Sequence, residues 1–254
     1  PERVKMRNYA IGDIHGHLAL LEEAHALIAA DRALTNDQVA PIVHVGDLVD
    51  RGPNAKGVIA YLAQGMAQGA PWVVLKGNHD RMFSLFLDDF KARDPRLRAE
   101  LSYLHPRIGG GTTLASYGIL NGADRPIAPV HAEAIAAVPQ AHRTFLAACP
   151  CFFQRGEVIF VHAGLLPGTA LAAQSEDDLI WIREPFLSDP RDHGHLVVHG
   201  HTALEAAFHY GNRVNIDSSA AYGGPLTAVV IEGRAVFHLT PKGRRRLLPK
   251  DIAA

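Results

Sequence analysis

Five polar clusters along the chain carry residue types that bind metal ions: Asp13 with His15, Asp47, Asn78 with His79, His162, and His201. Carboxylate oxygen, imidazole nitrogen and amide oxygen together are the donor set of borderline divalent metals such as manganese, iron and zinc. Each cluster follows a short apolar run and has glycine beside it, which permits sharp turns and close backbone approach. Taken singly, each is ordinary. An aspartate after a strand is usually a turn former or helix cap, and a lone histidine there is usually a hydrogen-bonded structural residue. The ordered series, each member ending a buried-strand pattern, is what points to a metal centre.

The elements that must position these residues are legible from periodicity. Tyr9–Ile11, Pro41–Val45 and Trp72–Leu75 read as strands, each stopping at one cluster. Between them, Leu18, Leu21, Ala24 and Leu27/Ile28 recur at helical spacing, and Asn54–Gln68 places Val58, Ile59 and Leu62 on one helix face. This β-α-β-α-β rhythm predicts a mostly parallel sheet with helices on its faces, and such sheets place their sites at strand ends. Residues 81–149 then read as a helical insertion or cap that shapes the substrate entrance. Phe152–Gln154 and Val158–Val161 read as a hairpin. Further strands fall at Leu196–Val198, Val214–Ile216, Leu226–Ile231 and Ala235–Leu239, the last two joined by a turn at Glu232-Gly233. The second half is therefore expected to build a second sheet packed on the first. One α/β domain over residues 1–254 is the economical reading.

Composition excludes several classes. The net charge is −1, so no nucleic-acid partner is indicated. No run approaches the ~20 apolar residues of a membrane span, and no signal core opens the chain, which predicts a cytoplasmic protein without membrane contact. The basic stretch Lys242–Arg246 reads as a solvated terminus. Cys149 and Cys151 are too few for a disulfide scaffold and read as small apolar residues near a helix end.

The motifs Gly12-Asp13-Ile14-His15-Gly16, Gly46-Asp47-Leu48-Val49-Asp50-Arg51-Gly52 and Gly77-Asn78-His79-Asp80 occur in order, followed by His162-Ala163-Gly164 and Gly200-His201-Thr202. Together they resemble the signature of the phosphoprotein phosphatase branch of the calcineurin-like metallophosphoesterases, over residues 8 to 231. The block Gly109–Gly118 and the stretch Leu179–Arg183 resemble the bacterial and phage serine/threonine protein phosphatases of that group. The resemblance implies a β-sandwich of two mixed sheets flanked by helices, with a helical cap. It implies two metal ions, with manganese first and iron or zinc as alternatives. Asp13, His15 and Asp47 would hold one; Asp47, Asn78, His162 and His201 the other. A hydroxide bridging them would attack phosphorus directly, without a phosphoenzyme.

The same resemblance assigns Arg51 and Arg183 to the phosphate, for which a planar, always-charged guanidinium is suited. It makes His79 the acid that protonates the leaving oxygen, with Asp50 fixing its tautomer and raising its pKa. Asp80 departs from the glutamate usual in the eukaryotic enzymes and is similar to the symmetrical diadenosine tetraphosphatases. Two substrates therefore stay open: a phosphorylated protein or peptide (serine/threonine, or tyrosine) and a dinucleoside polyphosphate. The remaining histidines have structural readings. His44 is core or support to a ligand. His17 is a helix cap or such a support, and His193 and His195 belong to a solvent loop. His199 lies on the opposite strand face from His201's block by alternation, and Asp217 is a candidate to orient a ligand histidine.

Overall fold

The computed structural model describes residues 6–249; the outermost residues of the expected 1–254 domain lie outside it. In chain order the strands are β1 (Arg7–Ile11), β2 (Ile42–His44), β3 (Trp72–Val74), β4 (Phe152–Arg155), β5 (Val158–Val161) and β6 (Leu196–His199). After these come β7 (Phe208–His209), β8 (Arg213–Asn215), β9 (Ala228–Glu232), β10 (Ala235–Thr240) and β11 (Gly243–Leu247). The helices are α1 (Leu18–Thr35), α2 (Ala55–Ala67), α3 (Asn78–Asp88), α4 (Gly110–Ser116), α5 (Ile127–Ala137), α6 (Gln140–Ala148) and α7 (Glu176–Trp181).

Two mixed sheets face each other, with orders β11-β10-β9-β1-β2-β3 and β4-β5-β6-β8-β7. In the first, β1, β2 and β3 are parallel, and β9 joins β1 antiparallel in the register Tyr9↔Val230. In the second, β5, β6 and β8 are parallel. Strand alternation divides the apolar residues into layers. Ala10, Val43, Phe160, Val198, Val229 and Ile231 fill the space between the sheets. Tyr9, Ile11, Ile42 and Val230 turn outward against α1, α2 and the 81–149 segment. Ile159, Val161 and Val197 meet α7 on the far side.

One expectation is corrected. The second half does not build the second sheet alone, because β9, β10 and β11 complete the first. The reason lies in β9, whose Ala228–Ile231 are buried on both faces and so need a central place between β1 and β10. Lys242–Arg246, expected as a solvated terminus, is exposed except at Arg244 but is not a free tail. Most of it lies in β11, and Arg244 bonds the Asp31 carboxylate at 2.5 and 2.9 Å and Glu232 at 2.9 Å. A salt-bridged edge strand and a free basic tail have the same composition, so sequence could not separate them. Residues 81–149 are helical as expected, but Phe83, Leu114, Val130 and Leu146 share one buried cluster with α1 and α2. Among the described residues no helix is long and apolar enough to cross a membrane.

Candidate functional site

All five clusters meet where β1, β2, β3, β5 and β6 end. Asp13, His15, Asp47, Asn78, His162 and His201 are buried together beneath an open cavity of about 550 Å³. The loops that bring them there are held in uncommon backbone. His15, Asp47, Asp50, Arg51 and His201 have φ of 44°, 50°, 70°, 67° and 64°. Among the described non-glycine residues only Asn36, Asn121 and Ser219 share that region. Such conformations cost on the order of 1–3 kcal/mol each and persist only where surrounding structure enforces them. Here the enforcement is visible. The Asp47 carbonyl accepts bonds from the backbone N–H of Ile14 and His15 at 3.1 and 2.8 Å, and Oδ1 of Asp47 accepts from His79 N–H at 3.0 Å. Gly200 lies so close to Asp13 that an added Cβ would sit 1.8 Å from its Oδ1.

The donor atoms converge on two positions that share Asp47. His15, Asp47 and His79 form one group and Asp47, His162 and His201 the other, their ligand atoms within 4.8 Å of one another in each. Asn78 Oδ1 completes the second, 3.0 Å from His162 Nε2 and 2.9 Å from His201 Nδ1. The tautomers suit metal binding. His15 and His162 donate from Nδ1 to the carbonyls of Val49 and Val45, at 2.8 and 2.9 Å, which leaves each Nε2 lone pair facing Asp47. Asp13 Oδ1 is buried with no hydrogen-bond partner. A buried acceptor left unmatched is costly, and lone pairs aimed at lone pairs call for a cation. The residues present therefore fit metal ions.

Electrostatics agree. Burial, then Asp217 and Asp47, raise the Asp13 carboxyl well above its ordinary value. Burial alone would raise Asp47 too, but His162, His79 and His15 hold it well below. Burial lowers the imidazoles of His162 and His201, keeping them neutral and able to bind metal. Burial lowers the His79 pKa; Asp47 and, as expected, Asp50 raise it, but only in part. His79 Nδ1 bonds Asp50 Oδ2 at 2.7 Å, so Nε2 is the nitrogen left for the cavity.

Arg51 and Arg183 both line the cavity. The Arg51 guanidinium lies 2.9 Å from His15 Nε2 and 5.2 Å from the Tyr222 ring, whereas Arg183 stands exposed at the mouth. Asp80 does not reach the cavity. Its carboxylate accepts from Leu48 N–H at 2.9 Å and Gly77 N–H at 2.8 Å, tying the start of α3 to the Asp47 loop. Its difference from glutamate thus bears on loop packing before substrate. Asp217 makes no bond to a ligand histidine; its Oδ1 accepts from Ser219 N–H at 3.0 Å. His17 stands at the N-cap of α1 without a capping bond. His44 pairs with His25 at 3.0 Å on the sheet's outer face, away from the site. His199 is buried against Arg213 and Phe186, as alternation predicted.

Sequence reasoning missed Tyr103 and Thr113. Their hydroxyls donate to Asp50 Oδ1 at 2.8 and 2.7 Å, and Asp50 N–H donates to Thr113 Oγ1 at 2.8 Å. The 81–149 segment thus clamps the carboxylate that holds His79. Thr113 lies inside the Gly109–Gly118 block, the one signal that could have found it.

This geometry agrees with what the chain is similar to. The sequence profile of calcineurin-like phosphoesterases matches residues 6–230. The chain belongs to that family. A calcineurin-like phosphoesterase of this kind is a metal-dependent phosphatase, a hydrolase of phosphoric esters. A curated relative is serine/threonine-protein phosphatase 1 of Salmonella typhimurium strain LT2, 26% identical over 91% of this chain and 96% of the relative. A solved structure of a candidate diadenosine tetraphosphatase is 23% identical, with TM-score 0.62 over 98% of this chain and 97% of that one. A cold-active protein-tyrosine phosphatase from a psychrophilic Shewanella is 16% identical, with TM-score 0.60 over 97% and 81%. These two structures share the calcineurin-like phosphoesterase fold.

Proposed function

We propose that this phosphatase acts on phosphorylated protein, at serine or threonine, with a binuclear metal centre of which manganese is the first choice. The observation that carries the binuclear reading is the sharing of Asp47 by both donor groups. Asp13, His15 and Asp47 would hold one ion and Asp47, Asn78, His162 and His201 the other. Bound metals supply charge neutralisation and a nucleophilic water at neutral pH. The chain's own residues do the rest. Arg51 and Arg183 orient the phosphate oxygens. His79, in its doubly protonated form, gives its Nε2 proton to the leaving oxygen and becomes the neutral ring, while Asp50, fixed by Tyr103 and Thr113, holds Nδ1–H and the ring plane. Geometry alone would also admit His79 as a metal donor. The unpartnered Oδ1 of Asp13 favours Asp13 for that place and leaves His79 free as the acid.

The substrate assignment rests on the Salmonella relative. A second reading, cleavage of diadenosine tetraphosphate, is supported by the likeness to the candidate tetraphosphatase. Rates on phosphoserine, phosphothreonine and phosphotyrosine peptides and on diadenosine tetraphosphate, measured side by side, decide between them. Chelation should abolish activity and Mn²⁺ restore it; full activity in metal-stripped enzyme would end the binuclear reading.

A further inference from the structure

The cavity floor carries the candidate metal donors, whereas its rim carries arginines without a side-chain partner among the described residues. Arg96, Arg98 and Arg107, all exposed, line the same cavity as Asp13 and Asp47. Among the described residues their guanidinium groups make no hydrogen bond, ion pair or ring contact. Several arginines elsewhere are tied, Arg81 to Asp94 and Asp177, Arg125 to Glu133, and Arg234 to Asp192, whereas Arg245 and Arg246 are exposed on the edge strand β11. Yet the backbone that presents the rim is fixed. Arg93 donates to the carbonyls of Arg98 and Leu101 at 2.9 and 2.6 Å, Asp94 Oδ1 accepts from Arg96 N–H at 2.9 Å, and His105 Nδ1 accepts from Arg107 N–H at 3.1 Å. The backbone is anchored and the charged heads are free.

We propose that Arg96, Arg98 and Arg107 form a second anion subsite, which selects phosphopeptides with acidic residues flanking the phosphorylated one. The assignment rests on the phosphatase reading above and names its substrate class. A single phosphate on the floor already has Arg51, Arg183 and the metals to neutralise it. Three further cations lining the same cavity add positive charge at its mouth, so they fit a ligand with further negative charge outward from the reacting phosphorus. Exposed guanidinium groups with free rotamers suit carboxylates at variable positions along a peptide. A phosphate chain has one fixed spacing, which ordered groups would grip better. Leu97, half-buried among the arginines, offers apolar surface to a peptide side chain, and Leu101 and Ile108 are buried beneath it. The arginines act at the rim, where charge steers encounter and depends on salt.

The test compares Mn²⁺-loaded wild type with the triple variant R96Q/R98Q/R107Q. Substrates are two phosphoserine peptides differing only in acidic or neutral flanks, an aryl phosphate, and diadenosine tetraphosphate. Wild type should favour the acidic peptide by about tenfold in kcat/KM, through KM, with the preference shrinking as salt rises. The triple variant should lose that preference, with a far smaller loss on the aryl phosphate. Equal rates on both peptides in wild type would overturn the proposal, and so would one common loss factor on every substrate. A preference confined to the dinucleotide and removed by the triple variant would overturn the peptide assignment. Binding of the acidic phosphopeptide, followed by fluorescence anisotropy, separates the two readings. Arginine-dependent binding of the phosphopeptide without its hydrolysis would keep the subsite and remove the protein-phosphatase reading beneath it.

Discussion

The floor of the cavity and its rim are built on opposite principles. The floor residues are buried, His15, Asp47 and His201 among them in left-handed backbone, and locked by hydrogen bonds from their neighbours. The rim residues are exposed arginines on an irregular stretch between α3 and α4, with fixed backbone and free side chains. Chemistry at phosphorus requires donors placed before the substrate arrives, because reorganisation at the moment of reaction costs rate. Recognition of a variable partner is served by long side chains that settle afterwards. The difference teaches that one cavity can be rigid where bonds change and adaptable where partners differ.

The comparison can be broken hardest at the floor. Asp47→Asn should lower activity on the order of 10³-fold or more, since it weakens both donor groups at once. Metal analysis of that variant checks the cause: two tightly held ions would mean Asp47 does not bridge. His79→Ala should lose roughly 10²–10⁴-fold yet keep its metals. The loss should shrink as leaving-group pKa falls, and parallel dependences for wild type and variant would remove His79 as the acid. Tyr103→Phe deletes one of two hydroxyl donors to Asp50 and should cost about 1–3 kcal/mol of the barrier or of stability. Kinetics on an alkyl and an aryl phosphate separate the two, because misplacing the acid penalises the alkyl ester more.

The smallest effect on activity lies farthest from the cavity. Arg244→Ala should leave turnover unchanged and lower stability by about 1–2 kcal/mol, less than for a fully buried pair because solvent reaches the guanidinium. Burial alone would raise the Asp31 carboxyl, but bonds from Arg244 and Tyr9 bring it below its ordinary 3.8. A depressed carboxyl stabilises above its unfolded pKa and loses that contribution as pH falls through the folded one. The melting difference between wild type and Arg244→Ala should therefore be full at neutral pH and fade below about pH 4. A difference independent of pH would mean that Arg244 acts by packing alone.

The floor was legible in the sequence and the rim was not, for a physical reason. Asp13, Asp47, Asn78 and His162 each end a buried strand, and a strand end with glycine beside it leaves a local trace. The helices and the hairpin were legible for the same kind of reason. Arg96, Arg98 and Arg107 sit on irregular backbone, and their convergence depends on tertiary packing of the 81–149 segment. Tyr103 finds Asp50 across 53 positions of chain. The place of β9 beside β1 is likewise a long-range fact, as is the pairing of Arg244 with Asp31. Asp80 was visible as a departure from a pattern, but its role in tying α3 to the Asp47 loop appears only in three dimensions.

The partnership of β1 with β9 also sets an order of events. Tyr9 finds β2 at Ile42 but must wait for Val230 to cover its other edge. Pairings of such sequence separation close slowly, because the loop entropy is lost before the contacts repay it. Until then a strand whose apolar half, Tyr9–Ile11, leads to Asp13 presents an unpaired edge, a template for wrong association. Refolding should accordingly be sensitive to protein concentration. A chain cut short before Ala228 should aggregate even though every residue assigned here to metal, phosphate or proton transfer is still present in it.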